Sequence, residues 1–387
     1  MERMEVYLDN SATTCCTSQV ADLVRNCMLE DYGNPSSRHL KGVEAERYVR
    51  KAMSQISGPL HAKEQEIFFT SGGTESDNWA IWGSVGAARR RGNHLITTSV
   101  EHPAILEPMK ELERQGFRVT YLPTDSFGRI DLDDLKEALD EETIFVSIMS
   151  VNNELGTIEP VDEAARMVKA FDERILFHTD AVQAFGKIPV NVQTTPVDLI
   201  SASGHKIHGP KGTGFLYVRK GVRITPYLRG GGQQQGMRSG TDNVPGIAGL
   251  GLAAETCCSD PAGRAQALSA MRDRLKDGLL KMENVRINTP EEGAAPHILS
   301  AAFLGVRSEV LLHALEDRGI YVSAGSACLS NKKQAKSSVL TAAGLPADAA
   351  ESTLRFSFST MNTPDEVDYV LTQLNELVPV LRRYTRH

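Results

Sequence analysis

VDLISASGHKIHGPKGTGFLYV, residues Val197 to Val218, decides how this chain reads. Its two ends, VDLIS and TGFLYV, are short apolar runs of the kind that form buried strands. Between them lie His205, Lys206, His208 and Lys211, set among Gly204, Gly209 and Gly212. A lysine at a strand end, close-packed by glycines and followed by Pro210, is an amine held in one place, as imine formation with a carbonyl requires. A surface lysine in a glycine-rich hairpin would look the same over this stretch, so the flanking chain has to decide.

Upstream, strand and helix patterns alternate. EIFFT leads through SGGTES into NWAIWGSVGAARRR, and then HLITTSV, FRVTYLP, TIFVSIMSV and RILFHTDA are separated by helical patterns near residues 103–115, 131–139 and 161–171. This is the signature of a largely parallel sheet covered on both faces, an α/β fold. Ligands of such sheets bind at the carboxyl ends of the strands. There the chain carries Glu101 and His102, then Asn152, Asn153 and Glu154, then His178, Asp180 and Gln183. Any one of these can be a satisfied polar group at a strand terminus, but several at successive strand ends suggest a site. The strand–Ser-Gly-Gly-Thr–helix turn makes an anion cradle from Gly72, Gly73 and Thr74, because free N–H groups converge at a helix start. It has neither the GK[ST] of a Walker A loop nor GxGxxG spacing, which argues against nucleotide hydrolysis and dinucleotide binding.

Before the sheet, MEVYLDNSATT reads as a strand and turn forming an arm. Helical patterns near residues 18–31 and 41–57 then flank the turn-rich DYGNPSSRHLKG, where Asn34 and Arg38 stand out. After the lysine stretch, RITPYLRGGGQQQGMRSGTDNVPG is a long loop with anion-binding capacity through Arg238 to Thr241, or else a connector. A break at SDPAG suggests that a large domain ends near residue 258. Beyond it a helix to about 282, strands at VRI, HILSAAFL, IYVSAG and TLRFSFS, and a last helix near 364–383 describe a compact α+β unit.

The bulk properties agree with a two-domain enzyme. The chain has 387 residues, beyond the size at which single cores stop growing. Lys and Arg number 42 against 49 Asp and Glu, a net charge of −7, and no long basic run invites nucleic acid or an anionic membrane. The first residues lack an apolar leader and no run of 18 apolar residues occurs, so the expected location is cytoplasmic, without membrane insertion. Six cysteines include the vicinal pairs Cys15-Cys16 and Cys257-Cys258, with no CxxC spacing for zinc; no metal site is expected.

These residues supply what pyridoxal 5'-phosphate (PLP) bound to Lys206 would need. Asp180 at a strand end can keep the pyridine nitrogen protonated, so that the ring accepts carbanion electrons. Gly73, Thr74, Ser203 and His205 can hold the phosphate. His102 can stack on the ring, and Arg355 in TLRFSFS can clamp a substrate carboxylate in a bidentate fork.

The chain resembles the cysteine desulfurases of the NifS/IscS type, among the fold-type I PLP enzymes of the class-V aminotransferase family. The resemblance rests on LDNSATT, YGNPSSR, FTSGGTESDN, EHPAI, VNNELGTI, HTDAVQAFGK, SGHKIHGPKGTGFLYVR, GGGQQQGMRSGT, SAGSACLS and LRFSFS, in family order from about residue 8 to 360. It implies a mostly parallel seven-stranded sheet in a large domain of residues 15–258. A smaller α+β domain would be made of residues 1–14 and 259–387, carrying the reactive cysteine loop and the carboxylate-binding arginine. It also implies a homodimer with each active site at the subunit interface. Carried over by motif, Lys206 would form the imine with PLP and move the Cα proton. Asp180 would pair with the pyridinium, Gln183 would bond the ring's phenolic oxygen, and His102 would stack and shuttle protons. Thr74, Ser203 and His205 would hold the phosphate, joined by Thr241 of the other subunit. Asn34, Asn153 and Arg355 would bind L-cysteine.

Cys328 lies in GSACLSNKKQAKSS, whose Lys332, Lys333 and Lys336 would favour a thiolate if they come near. The resemblance implies that it takes the substrate sulfur as a persulfide, leaves L-alanine, and passes the sulfur to an acceptor protein for iron–sulfur cluster assembly or for thiolation of tRNA or a cofactor. The chain departs from the assembly-scaffold type here, where family members commonly carry a segment resembling TSGSLEPSHVL in place of LSNKKQAKSSVL. That departure bears on acceptor choice, not on the cofactor motifs. A selenocysteine lyase, another fold-type I lyase or aminotransferase, and a non-catalytic partner of the same fold are the rival readings. The last should have lost Lys206, Asp180 or His102, and all three are present.

Overall fold

Alternate residues of the apolar runs go to opposite faces of one central sheet. Phe68, Leu199, Leu216 and Val218 belong to one buried cluster and Ile67, Phe69, Ile200, Phe215 and Tyr217 to another, as the two-residue strand period dictates when both faces are covered. The computed structural model describes residues 4–324 and 338–384. Cys328 and Lys332, Lys333 and Lys336 lie outside the described residues.

In chain order the strands are β1 (Val6–Tyr7), β2 (Ile67–Thr70), β3 (His94–Thr98), β4 (Arg118–Leu122), β5 (Thr143–Ser147), β6 (Leu176–Asp180), β7 (Leu199–Ser203) and β8 (Gly214–Val218). They are followed by β9 (Val285–Ile287), β10 (Ile298–Phe303), β11 (Ile320–Tyr321), β12 (Ser323–Ala324) and β13 (Thr353–Ser357). Seven of them form the sheet β2-β8-β7-β6-β5-β3-β4, parallel except at β8, which runs antiparallel to both neighbours. The carboxyl ends of β2, β7, β6, β5 and β3 therefore share one edge, the edge the sequence loads with polar residues.

Helices pack on the sheet and on one another through apolar stripes. Leu40–Leu60 buries Ala45, Val49, Ala52, Ile56 and Leu60 at three- and four-residue spacing, one apolar face that packs on the helix Val244–Cys258. The helices meet closely because Gly251 has no side chain: a Cβ there would lie 2.6 Å from the Ala52 Cα. Each fully buried Ile or Leu of this stripe contributes about 1.5–3 kcal/mol.

A second core surrounds the four-stranded sheet β12-β13-β10-β9. It draws on Leu268, Leu275, Leu299, Phe303, Leu354 and Phe356, and on Val6 and Leu8 from the other end of the chain. IYVSAG differs from the single strand expected. Ile320 and Tyr321 pair in parallel with Val6 and Tyr7, whereas Ser323 and Ala324 pair antiparallel with β13. The chain changes sheets at Val322 and so ties the N-terminal arm to the second core.

Candidate active site

β7 and β8 make the expected antiparallel pair, and Lys206 closes a short 3-10 turn, Gly204–Lys206, directly after β7. The arm crosses this turn. The Lys206 ammonium donates to the carbonyl oxygens of Ser11 at 2.5 Å and Ala12 at 2.7 Å. The Thr14 hydroxyl donates to the His205 carbonyl at 2.9 Å and accepts from the His208 N–H at 2.7 Å. His208, at a φ of 64°, and the exposed Lys211 shape the turn.

A cavity of about 330 Å³ opens at this edge of the sheet. Gly73, Thr74, His102, Asn153, Asp180, Gln183, Ser203, His205, Lys206 and Arg355 all line it. Asp180 ends β6, and its Oδ1 accepts from the Val182 N–H at 2.8 Å. Burial raises the Asp180 carboxyl, while His102 and Lys206 oppose the shift. His102 caps the helix Pro103–Arg114, its Nδ1 accepting from the Ala104 N–H at 3.1 Å, which leaves the proton on Nε2. Burial pushes the His102 imidazole down; Asp180 opposes this and Lys206 reinforces it. Burial also brings His205 down to about 4, with Lys206, Lys211 and Lys187 adding to the effect. Gln183 donates from Nε2 to the Ser11 carbonyl at 3.0 Å. Arg355, on β13, donates from NH1 to the Asn153 carbonyl and from NH2 to Asp9 Oδ1, both at 2.8 Å.

The helix Gly73–Ala88 starts hard against the strand ends, because a Cβ on Gly73 would come 2.7 Å from Val182 Cγ2. Its entry is locked by Ser76, whose hydroxyl lies within hydrogen-bonding reach of the Gly72 carbonyl at 3.1 Å and the Phe215 carbonyl at 3.0 Å.

Some expectations land elsewhere. Asn34 is exposed and away from the cavity, its Oδ1 accepting from the Ser36 N–H at 2.9 Å. Thr241, expected to serve the other subunit, is exposed and does not line its own subunit's cavity. The anion capacity expected of Arg238 is taken up by Glu75, at 2.8 and 3.2 Å. Three contributors carried no expectation from the sequence. Asp77 lines the cavity fully buried, with Oδ1 lacking a hydrogen-bond partner; burial and the charge of Asp180 hold its carboxyl well above the usual range. The acid of TESDN, one turn into a helix otherwise buried, was its only signal. Ser11 and Ala12 act through backbone carbonyls, which leave none. Among the described residues no group of His, Cys, Asp and Glu has the makings of a metal site, and no helix is long and apolar enough to cross a membrane.

A profile of the class-V aminotransferase family matches residues 6–370, and the chain belongs to that family. Within it the chain is 45% identical over 381 residues to cysteine desulfurase IscS of Methanosarcina thermophila, covering 98% of this chain and 94% of the relative. It is 43% identical over 378 residues to a cysteine desulfurase of a Nostoc species, covering 97% and 94%. Among solved structures it superposes on a NifS-like protein with a TM-score of 0.92 at 41% identity, over 98% of this chain and all of the other. A structure of SspA in complex with cysteine matches with a TM-score of 0.81 at 33% identity, over 92% and 99%.

The family implies PLP, and the residues present fit it. Ser203 Oγ is buried without a partner beside the start of the helix Gly73–Ala88, where a phosphate would find free N–H groups. Asp180 is a buried acid beside two basic groups, suited to a protonated ring nitrogen. Asn153 Oδ1 and Arg355 Nε are likewise buried without hydrogen-bond partners.

Proposed function

We propose that this chain is a PLP-dependent cysteine desulfurase that converts L-cysteine to L-alanine and carries the sulfur away as a persulfide on Cys328. The observation that carries the reading is the single cavity joining Lys206, Asp180, His102, Ser203 and Arg355, residues from three strand ends and a second sheet. The relatives named cysteine desulfurase support the substrate and the chemistry, as does the neighbour solved with cysteine.

The cofactor, when bound, supplies an electron sink for the bonds broken at the substrate's Cα and Cβ. Lys206 anchors it and moves the Cα proton. Asp180 keeps a proton on the ring nitrogen, and Gly73, Thr74, Ser203 and His205 hold the phosphate. His205, neutral at ordinary pH, serves there as a hydrogen-bond donor rather than as a charge. Arg355 binds the α-carboxylate, with Asn153 beside it. His102 offers Nε2–H to the ring and substrate face. The Cys328 sulfur forms an S–S bond to the substrate sulfur as the C–S bond breaks, and the carbon fragment gains a proton to become alanine. Thiol plus cysteine gives persulfide plus alanine, so no outside oxidant is needed.

The active unit in this reading is a homodimer. Met28, Leu29, Tyr32, Leu40 and Val43 leave large apolar side chains exposed on adjoining segments, and Leu40 is 81% exposed. Asn34 lies in the same region, and Thr241 has no role within its own subunit's cavity. A second copy that covers this face and lends its Thr241 accounts for both. The large domain in this reading spans residues 15–258, and the acceptor is a protein that takes sulfur from Cys328.

The test is direct. The purified protein should be yellow, and borohydride should fix a cofactor-sized mass on the peptide containing Lys206. Alanine and transferable sulfur should appear from L-cysteine in equal amounts. Cys328→Ala should keep the colour and lose sulfur delivery. Delivery at the wild-type rate from Cys328→Ala would remove the nucleophile assignment.

A further inference from the structure

Arg355 is held by two groups, and one of them is a carboxylate. It is 4% exposed, with NH1 on the Asn153 carbonyl, NH2 on Asp9 Oδ1 and Nε without a hydrogen-bond partner. A guanidinium has five N–H donors, so donors remain for a carboxylate arriving from the cavity. Asp9 does not line that cavity. It is fixed to the strand that carries Arg355: Asp9 bridges to Ser357, the Asn10 N–H donates to the Ser357 carbonyl at 3.2 Å, and the Ser357 N–H donates to the Leu8 carbonyl at 2.7 Å. The Asp9 carbonyl also accepts from the Ala12 N–H at 3.0 Å and so closes the turn whose next carbonyls hold Lys206.

We propose that Asp9 is a positioning residue that backs Arg355 from outside the cavity, fixing the direction of its fork and offsetting its charge so that an α-carboxylate is held less tightly than a bare buried arginine would hold it. The inference rests on the reading of Arg355 as the carboxylate clamp. Its physical basis is charge: in a poorly screened site, a carboxylate approaching Arg355 also meets the negative charge of Asp9. An unopposed guanidinium would favour the incoming carboxylate and slow the release of alanine, which carries the same group. Asp9 thereby favours turnover over affinity.

Asp9→Asn separates orientation from charge, because the amide oxygen still accepts from NH2. In the holoenzyme its expected effect is a KM for L-cysteine and a Kd for L-alanine that fall by about three- to tenfold, with kcat unchanged or lower. A residue that only held the fold together would raise KM. KM unchanged or raised, in a variant with the wild-type melting temperature, overturns the proposal. Arg355→Ala is the control. If it leaves KM unchanged, the clamp reading falls and this inference with it; if it raises KM while Asp9→Asn does not lower it, only the role of Asp9 falls. Should Asp9→Asn fail to fold, a crystal of the wild-type holoenzyme with L-alanine decides. The ligand carboxylate on Arg355 with Asp9 still bonded to NH2 supports the proposal, and a carboxylate that expels Asp9 overturns it.

Discussion

At the scale of single residues, neighbouring charges distinguish three buried acids in and near the cavity. Asp77, Glu101 and Asp180 are all buried, and desolvation raises all three carboxyls. Only Asp180 has His102 and Lys206 working against the shift, whereas Asp77 and Glu101 are pushed further up by Asp180 itself. Of the three, only Asp180 has basic neighbours that favour its charged form. His178, between the hydroxyls of Ser147 and Ser201 at 2.9 Å each, is brought down to about 3 by burial and stays neutral. Glu159 gives a measurable case away from the cavity. Burial raises it from 4.5 to about 8, and its Oε2 accepts from the Ile130 N–H at 3.1 Å. The folded state thus binds this proton more tightly than the unfolded chain, and the buried carboxyl costs stability as pH rises from 4.5 to about 8. Glu159→Gln should lose little at pH 5 and gain at least about 1 kcal/mol at pH 8 or above, read from denaturant unfolding across pH. Equal stability changes at the two pH values would refute the assignment.

At the scale of elements, the strand-to-helix turn at Gly72 and Gly73 gives the clearest prediction. A methyl on Gly73 would meet Val182 Cγ2 at 2.7 Å, so Gly73→Ala must move either the helix start or the segment after Asp180. Both line the cavity. We expect a loss of PLP affinity of about tenfold or more with a fold change under about 2 kcal/mol, measured by cofactor titration and thermal melting. Unchanged affinity would mean that the helix start plays no part in holding the phosphate. Much of this level was legible in the sequence. Short apolar runs marked the strands, polar residues after each run marked the ligand edge, and glycines marked the turns at Lys206 and Gly73. What stayed hidden has a common physical cause. Asp77 is buried because its helix packs on the sheet, a fact outside its own stretch of chain. Glu75 pairs with Arg238 across 163 residues. The sheet change within IYVSAG depends on β1 and β13, which no local pattern reveals. Backbone carbonyls, such as those that hold Lys206, carry no residue type at all.

At the scale of the whole molecule, the exposed apolar segment around Tyr32 and Leu40 carries the consequence of the proposed dimer. Tyr32 is 71% and Leu40 81% exposed, a surface that is costly to leave in water when contiguous. The double substitution Tyr32→Glu and Leu40→Asp should give a folded monomer with at least about a tenfold loss of kcat, seen by sedimentation and steady-state kinetics. A dimer that persists would place the interface elsewhere.

The arm has a consequence in time as well as in space. Asp9 and Arg355 are 346 residues apart, and β1 waits for β11 before it can pair. The seven-stranded sheet needs nothing beyond Val218, so during synthesis it can assemble while the second core is still being made. A ribosome halted before Thr353 would hold a chain with a phosphate cradle, a lysine still without the arm carbonyls that hold it, and no arginine to receive a substrate. The two halves of the site are thus acquired at different ages of the nascent chain, and the first-made residues are among the last to find their place.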